Sequence, residues 1–307
     1  MSDRTLLWGA FVVLVSLMLL LDLGLNRTGR QVTIREALYW SILWIGLALA
    51  FNAGIYVTMG KQPALEFFAG YLIEKSLSVD NLFVFIMIFS AFGVKGELQA
   101  RVLKWGILGA LIMRVLFIYL GTEMLERFQW TFYLFGAILI YTAWKMAFGG
   151  DAEINPEDNP LVKLSRRFLT MTKRIRGDWF FTKKRGLLIA SPLFMVLLVI
   201  ESSDLMFAMD SIPAIFAITL DPFIVLTSNV FAIMGLRALY FLLAGVMGMF
   251  VYLKFGISFI LAFVGVKMVL VMQGIHIPIS WSLAVIITTL VAAVVFSLQA
   301  SPQKDKD

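Results

Sequence analysis

The sequence predicts an all-α, polytopic transmembrane bundle of about nine spans, with two three-helix units of opposite orientation forming an inverted repeat at its centre. Three observations carry this. Of 307 residues, 60% are hydrophobic and 15% charged, against about 25% charged in a soluble domain. Apolar runs of about 18 or more residues, long enough to cross a bilayer as helices, recur along the chain. Carboxylates also recur at matching places inside two of those runs.

The spans are expected at residues 5–25, 36–59, 64–92, 102–121, 131–148, 187–218, 223–246, 253–273 and 279–299. The first, Thr5–Leu25, reads as a retained span, because no A-x-A-like cleavage site with polar residues follows it. The connections set the orientation. Arg27, Arg30 and Arg35 follow the first span, and Lys95, Arg101 and Lys104 flank the connection after the third. Nine Lys and Arg fall between Lys163 and Arg185, Lys254 borders the seventh span, and Lys304 and Lys306 are in the tail. With nine spans all of these share one side, and only Arg4, Lys61 and Arg127 face the other. The positive-inside rule then puts the N-terminus outside and the C-terminus in the cytoplasm. This topology, with contact to anionic lipid, accounts for the net charge of +6 without nucleic acid.

The segment 149–186 opens acidic and Pro-rich and turns basic over Leu161–Ile175, where a short interfacial helix is expected. It divides a first repeat at about 64–148 from a second at about 187–273, with 279–299 as a terminal span, all in one transmembrane domain. Each unit runs from an acidic motif through an arginine, Arg114 or Arg237, to a Lys-Met pair, Lys145-Met146 or Lys267-Met268. Both lysines are expected to snorkel.

The motifs carry the chemistry. One is Glu74-Lys-Ser-Leu-Ser-Val-Asp80-Asn81; the other is Glu201-Ser-Ser-Asp204-Leu-Met-Phe-Ala-Met-Asp210-Ser211-Ile-Pro213. A charge at a bilayer centre costs about 2.5–3.5 kcal/mol even on the lenient insertion scale, so five carboxylates need a reason. At about 100° per residue, Glu74, Ser78 and Asn81 share one helix stripe. Asp204 and Ser211 share another, with Glu201 one turn away. Asp80 and Asp210 lie roughly 120° off those stripes, and Pro213 is expected to unwind its span there.

Fully ionised, the carboxylates outnumber Lys75, Arg114 and Arg237 by two charges, the charge of one divalent cation. Carboxylate, amide and hydroxyl oxygens suit Mg²⁺, Ca²⁺ or Mn²⁺ rather than Cu⁺ or Zn²⁺. The candidate metal ligands are Glu74, Asp80, Asn81, Glu201, Asp204, Asp210 and Ser211. Arg114, Arg237 and Lys75 are candidate counter-ions holding the carboxylates. Asp22, Asn52, Ser78, Asn229 and Met209 are candidates for the ion path. With no cysteine and a single histidine, His276, thiolate and multi-His metal sites are excluded. No nucleophile–base pair or organic-cofactor motif argues for an enzyme.

These two motifs, with the run Pro222–Phe241, resemble the TerC family of bacterial integral membrane proteins, with the Alx branch as the nearest likeness, over nearly the whole chain. Ser202 departs from the family, which more often has an apolar residue there. The resemblance implies a bacterial cytoplasmic-membrane protein linked to manganese export and, by its family name, to tellurium resistance. It also implies that Glu74, Asp80, Asp204 and Asp210 carry the ion. The expectation is a divalent-cation exporter, with Mn²⁺ as substrate and proton exchange as a hypothetical coupling. The alternatives are a non-transporting membrane adaptor acting through the basic loop, which would assist assembly or metal loading of other proteins, and a proton or sodium antiporter.

Overall fold

Long apolar runs separated by glycine, proline and charge give long helices here. The computed structural model describes residues 3–24, 33–149, 170–171, 179–184, 187–244 and 252–300. Arg27, Arg30, most of the loop 149–186 and the tail lie outside them. Five helices come first: α1 (Asp3–Gly24), α2 (Ile34–Met59), α3 (Lys61–Ala91), α4 (Gly96–Arg127) and α5 (Thr131–Phe148). Strands β1 (Thr170–Met171), β2 (Phe181–Lys184) and β3 (Leu187–Ala190) follow. Then come α6 (Pro192–Phe216), α7 (Pro222–Ile233), α8 (Leu236–Ala244), α9 (Leu253–Met272) and α10 (Ile279–Ala300).

Seven of these helices, α1, α2, α4, α5, α6, α9 and α10, are long and apolar enough to cross a membrane, and the bent pair α7–α8 makes eight. The 31-residue α3 is long enough, but Lys61, Glu66, Glu74, Lys75 and Asp80 lie along it. It is also the helix the bundle is built around, packing against α2, α6, α7, α8 and α10. That position explains how it tolerates its central charges: Glu74 and Lys75 bond groups on other helices rather than facing lipid.

Three expectations are corrected. Leu187–Ala190 is a strand, not the start of a span; β3 lies between β1, parallel, and β2, antiparallel. Proline disfavours helical backbone in the residue before it, and Ser191 is extended (ψ 163°), so the helix begins at Pro192. Thr170 and Met171 are strand where an interfacial helix was expected; the rest of 161–175 lies outside the described residues. Pro213 does not unwind its helix. It lies in the last turn of α6, which continues to Phe216, and its carbonyl still accepts from Ala217 N at 3.1 Å. The break falls instead between α7 and α8, bent by 41°.

Gly235 makes that break. Its φ of +81° is a region that favours glycine, and a Cβ there would meet the Trp44 side chain at 2.5 Å. An aromatic cluster holds α1 and α2 to the centre. Trp8 meets Phe223 at 4.8 Å between centroids, and Phe51 meets Phe231 at 4.7 Å. On the other side α5 and α9 press together through Gly136 and Gly265, each leaving no room for a Cβ beside the other's carbonyl. Small residues at such contacts are how helices approach closely in lipid, where burial alone supplies little attraction. Lys267 does not snorkel: it is buried and its Nζ donates to Ser282 Oγ of α10 at 3.0 Å.

Candidate functional site

The stripe expected on α3 is real: Glu74, Ser78 and Asn81 are all buried, as are Asp204 and Ser211 on α6. Gly70, one turn before Glu74, lets α7 come close. A Cβ at Gly70 would lie 2.9 Å from Ser228 Oγ. That approach brings the next residue, Asn229, to Glu74, where its Nδ2 donates to Glu74 Oε2 at 3.2 Å.

Arg114 enters from α4 with no exposed surface. Its Nη1 pairs with Glu74 Oε1 in a salt bridge. The same nitrogen donates to Ser211 Oγ at 3.2 Å and Asn229 Oδ1 at 3.4 Å. Its Nη2 lies 3.6 Å from Asp204 Oδ1. Four helices therefore meet at one polar cluster: Glu74 from α3, Arg114 from α4, Asp204 and Ser211 from α6, and Asn229 from α7.

The other carboxylates are elsewhere. Asp80 is half-buried, six residues from Glu74 and so roughly 120° round α3. Asp210 is half-buried and accepts from Thr142 Oγ1 of α5 at 2.7 Å. Glu201 is half-buried against α4, where a Cβ on Gly109 would overlap its carboxylate. Glu201 and Asp210 are nine residues apart, which places them roughly 13 Å apart along α6 and on opposite sides of it. They edge an outward face carrying Met206 and Met209, which are 62% and 53% exposed. Among the described residues no three acidic or histidine side chains gather closely enough to form a metal cage by themselves.

Two expected counter-ions have other partners. Arg237 does not reach the motif carboxylates; its Nη2 donates to Asp22 Oδ1 at 2.9 Å and to the Asp22 carbonyl at 2.7 Å. The last carbonyls of a helix lack intrahelical partners and favour a cation, and Asp22 is in the last turn of α1. Lys75 Nζ donates to the carbonyls of Ala232, at 3.1 Å, and Met234, at 3.5 Å. Those oxygens flank the break that Gly235 makes. Asn52, on α2, is outside the cluster, and its Oδ1 has no hydrogen-bond partner.

The cluster fits a hard cation: two carboxylates, the Asn229 amide and the Ser211 hydroxyl are all oxygen donors, and the buried Ser78 hydroxyl is one helical turn beyond Glu74 on the same stripe. It is also incompletely bonded. Ser78 Oγ, Asp204 Oδ2, Arg114 Nε and Arg114 Nη2 are buried without a hydrogen-bond partner. Buried polar groups are normally satisfied, and each exception calls for a cause.

Sequence reading missed Thr142, Gly70, Gly109 and the carbonyls of Ala232 and Met234. Thr142 had a visible signal, a hydroxyl one turn before Lys145. The glycines had none, because their role depends on which helix passes them.

The pattern that defines the integral membrane protein TerC family matches residues 59–306. The chain is 50% identical over 305 residues to an uncharacterized membrane protein of Myxococcus xanthus, covering 98% of this chain and 95% of that one. It is 48% identical to the putative membrane-bound redox modulator Alx of Escherichia coli K12, covering 98% and 97% of the two chains. It is 44% identical to the chloroplastic thylakoid membrane protein TERC of Arabidopsis thaliana, covering 90% of this chain and 72% of the other. No solved structure matches.

Proposed function

The chain belongs to the TerC family of integral membrane proteins, and from that membership and the buried polar cluster we infer that it exports divalent metal cations, Mn²⁺ foremost, from the cytoplasm. The observation that carries this is the unfinished bonding at Ser78, Arg114 and Asp204, beside a fully bonded Glu74. A purely structural network in a bilayer should be fully satisfied, because each orphaned group costs about 1–3 kcal/mol. A site that accepts and releases an ion must leave some of its donors and acceptors for that ion.

In this reading Glu74 and Asp204 supply the charge that replaces part of the cation's hydration, and Asn229, Ser211 and Ser78 supply neutral oxygens. Asp80, Glu201 and Asp210 act along the path rather than in the same shell, since the helix geometry separates them. Lys75 fixes the bent helix that carries Asn229. Release on the outer side takes place by alternating access, with protons as the proposed exchange partner. In this reading the C-terminus is cytoplasmic, on the side of the basic connections, as the positive-inside rule favours. The relatives named as redox modulators raise a second question, but a chain without cysteine has no thiol–disulfide exchange open to it.

The test is Mn²⁺ flux by the purified protein in liposomes, with and without a pH gradient, beside Asp204→Asn and a Na⁺ competition series. Flux that disappears in the variant supports the reading. Flux of equal rate in the variant refutes the site, and Na⁺-driven proton movement with no Mn²⁺ movement favours an antiporter.

A further inference from the structure

Arg114 already holds four of the five side chains proposed for the substrate, all but Ser78. Glu74, Asp204, Ser211 and Asn229 all lie within 3.6 Å of its guanidinium or pair with it directly. We propose that Arg114 is a built-in stand-in for the metal: it occupies the empty site, must withdraw when Mn²⁺ binds, and returns to carry the unloaded protein back across its cycle. This rests on the transport reading above and names a step within it.

Three observations support it. First, a monovalent guanidinium and a divalent cation cannot share one set of oxygens in a low-dielectric interior, where like charges repel strongly. Second, the hold on Arg114 is incomplete. Its Nε and Nη2 have no hydrogen bond, Nη2 meeting Asp204 Oδ1 only as an ion pair at 3.6 Å, and Asp204 Oδ2 is unbonded. An arginine fixed for structure has its planar fork matched by acceptors; this one is seated well enough to offset one of the two carboxylate charges and loosely enough to leave. Third, the neighbouring bases are committed. Lys75 is bound to the carbonyls of Ala232 and Met234, and Arg237 to Asp22. If the carboxylates lose the metal inside the bilayer, Arg114 is the cation already in contact with both.

Net transport and exchange then depend on Arg114 differently. Net export includes a step in which the empty site reorients, and that step needs the guanidinium in place. Exchange of Mn²⁺ for Mn²⁺ keeps the site loaded in both directions and bypasses that step. Binding also changes in a defined direction, because a competitor that fills the site most of the time lowers apparent affinity by the fraction left open.

The experiment uses the full chain in liposomes with radioactive Mn²⁺. It compares net efflux into metal-free medium with exchange against external Mn²⁺, and it measures Mn²⁺ affinity in detergent. In Arg114→Gln the ratio of net flux to exchange should fall about tenfold or more. Mn²⁺ affinity should tighten about tenfold, as for a competent fraction rising from about a tenth to near one. Arg114→Lys keeps the charge and guards against a failure of the glutamine variant to fold; it should keep some net flux and also bind more tightly. Affinity that weakens or is unchanged in the lysine variant overturns the proposal, since it would make Arg114 an organiser of ligands rather than a rival to the metal. So does net flux that persists in the glutamine variant in normal ratio to exchange. A wild type that moves no Mn²⁺ in either format overturns the transport reading and this role with it, whereas wild-type transport with the wrong variant pattern removes only the role of Arg114.

Discussion

Glu74→Gln and Asp204→Asn each remove one negative charge from the same cluster, yet their effects on stability should differ. The Glu74 carboxylate accepts from two directions, Arg114 at Oε1 and Asn229 Nδ2 at Oε2. A glutamine has one carbonyl oxygen and one NH₂ group, so one of those donors would meet another donor. An unsatisfied buried donor costs about 1–3 kcal/mol. The loss should stay below the roughly 3–5 kcal/mol of a fully broken buried pair, because Asp204 remains 3.6 Å from Arg114. Asp204 differs: its Oδ1 is beyond hydrogen-bond distance of Arg114 and its Oδ2 is unbonded, so the amide displaces no hydrogen bond to Arg114 and should cost under about 1 kcal/mol. Thermal unfolding of the detergent-solubilised, metal-free protein reads this directly. At about 2–4 °C per kcal/mol for mid-sized domains, Glu74→Gln should lower Tm by about 2–12 °C and Asp204→Asn by less than about 4 °C, the smaller of the two. Both should lose Mn²⁺ binding. Equal Tm losses, or a greater loss for Asp204→Asn, would refute the hydrogen-bond accounting on which the site is built.

Asp210→Asn should slow Mn²⁺ flux severalfold while leaving equilibrium affinity at the central site nearly unchanged, because Asp210 bonds Thr142 rather than the cluster; a large affinity loss by calorimetry would put Asp210 among the ligands. Lys75→Met strands the carbonyls of Ala232 and Met234 and should destabilise by about 1.5–3 kcal/mol, the range for a bond to a charged group; an unchanged Tm would remove Lys75 from its place at the helix break. Gly70→Leu drives a side chain into Ser228 and should separate Asn229 from Glu74, abolishing metal binding in a protein that still inserts; retained binding would show that the Asn229 contact is dispensable. Arg237→Gln should loosen α1, read as faster hydrogen exchange at the C-terminal end of that helix, with Mn²⁺ affinity preserved.

The buried stripes were legible because helix periodicity is local. Glu74, Ser78 and Asn81 fall together at 100° per residue whatever surrounds the helix, and the same geometry set Asp80 and Asp210 apart from them. Partner choice was not legible. Nothing within Leu236–Ala244 shows that Arg237 will meet the end of α1, more than two hundred residues away, or that Asn229 will be carried to Glu74 by a gap at Gly70. The helix break was misplaced because proline is a conspicuous breaker, yet α6 runs on through Pro213 to Phe216. The residue that breaks a span is Gly235, whose positive φ is invisible until the chain is traced. The strand Leu187–Ala190 has the composition of a helix, and only the Ser191-Pro192 step separates the two.

The two arginines have the same relative place after each acidic motif, and their partners differ. Arg114 sits among the carboxylates of both motifs, Glu74 from the first and Asp204 from the second. Arg237 is drawn away to Asp22. If each motif formed its own site, each would keep its own arginine. One cluster assembled from both motifs, with a single arginine in it, argues for one central site shared between the halves rather than one site in each. The arrangement also leaves the cluster one positive charge short of neutrality, two carboxylates against one guanidinium, when no metal is bound. Replacing Arg114 by a divalent cation removes that shortfall, so the same charge count that makes the arginine a workable occupant makes the metal the better one.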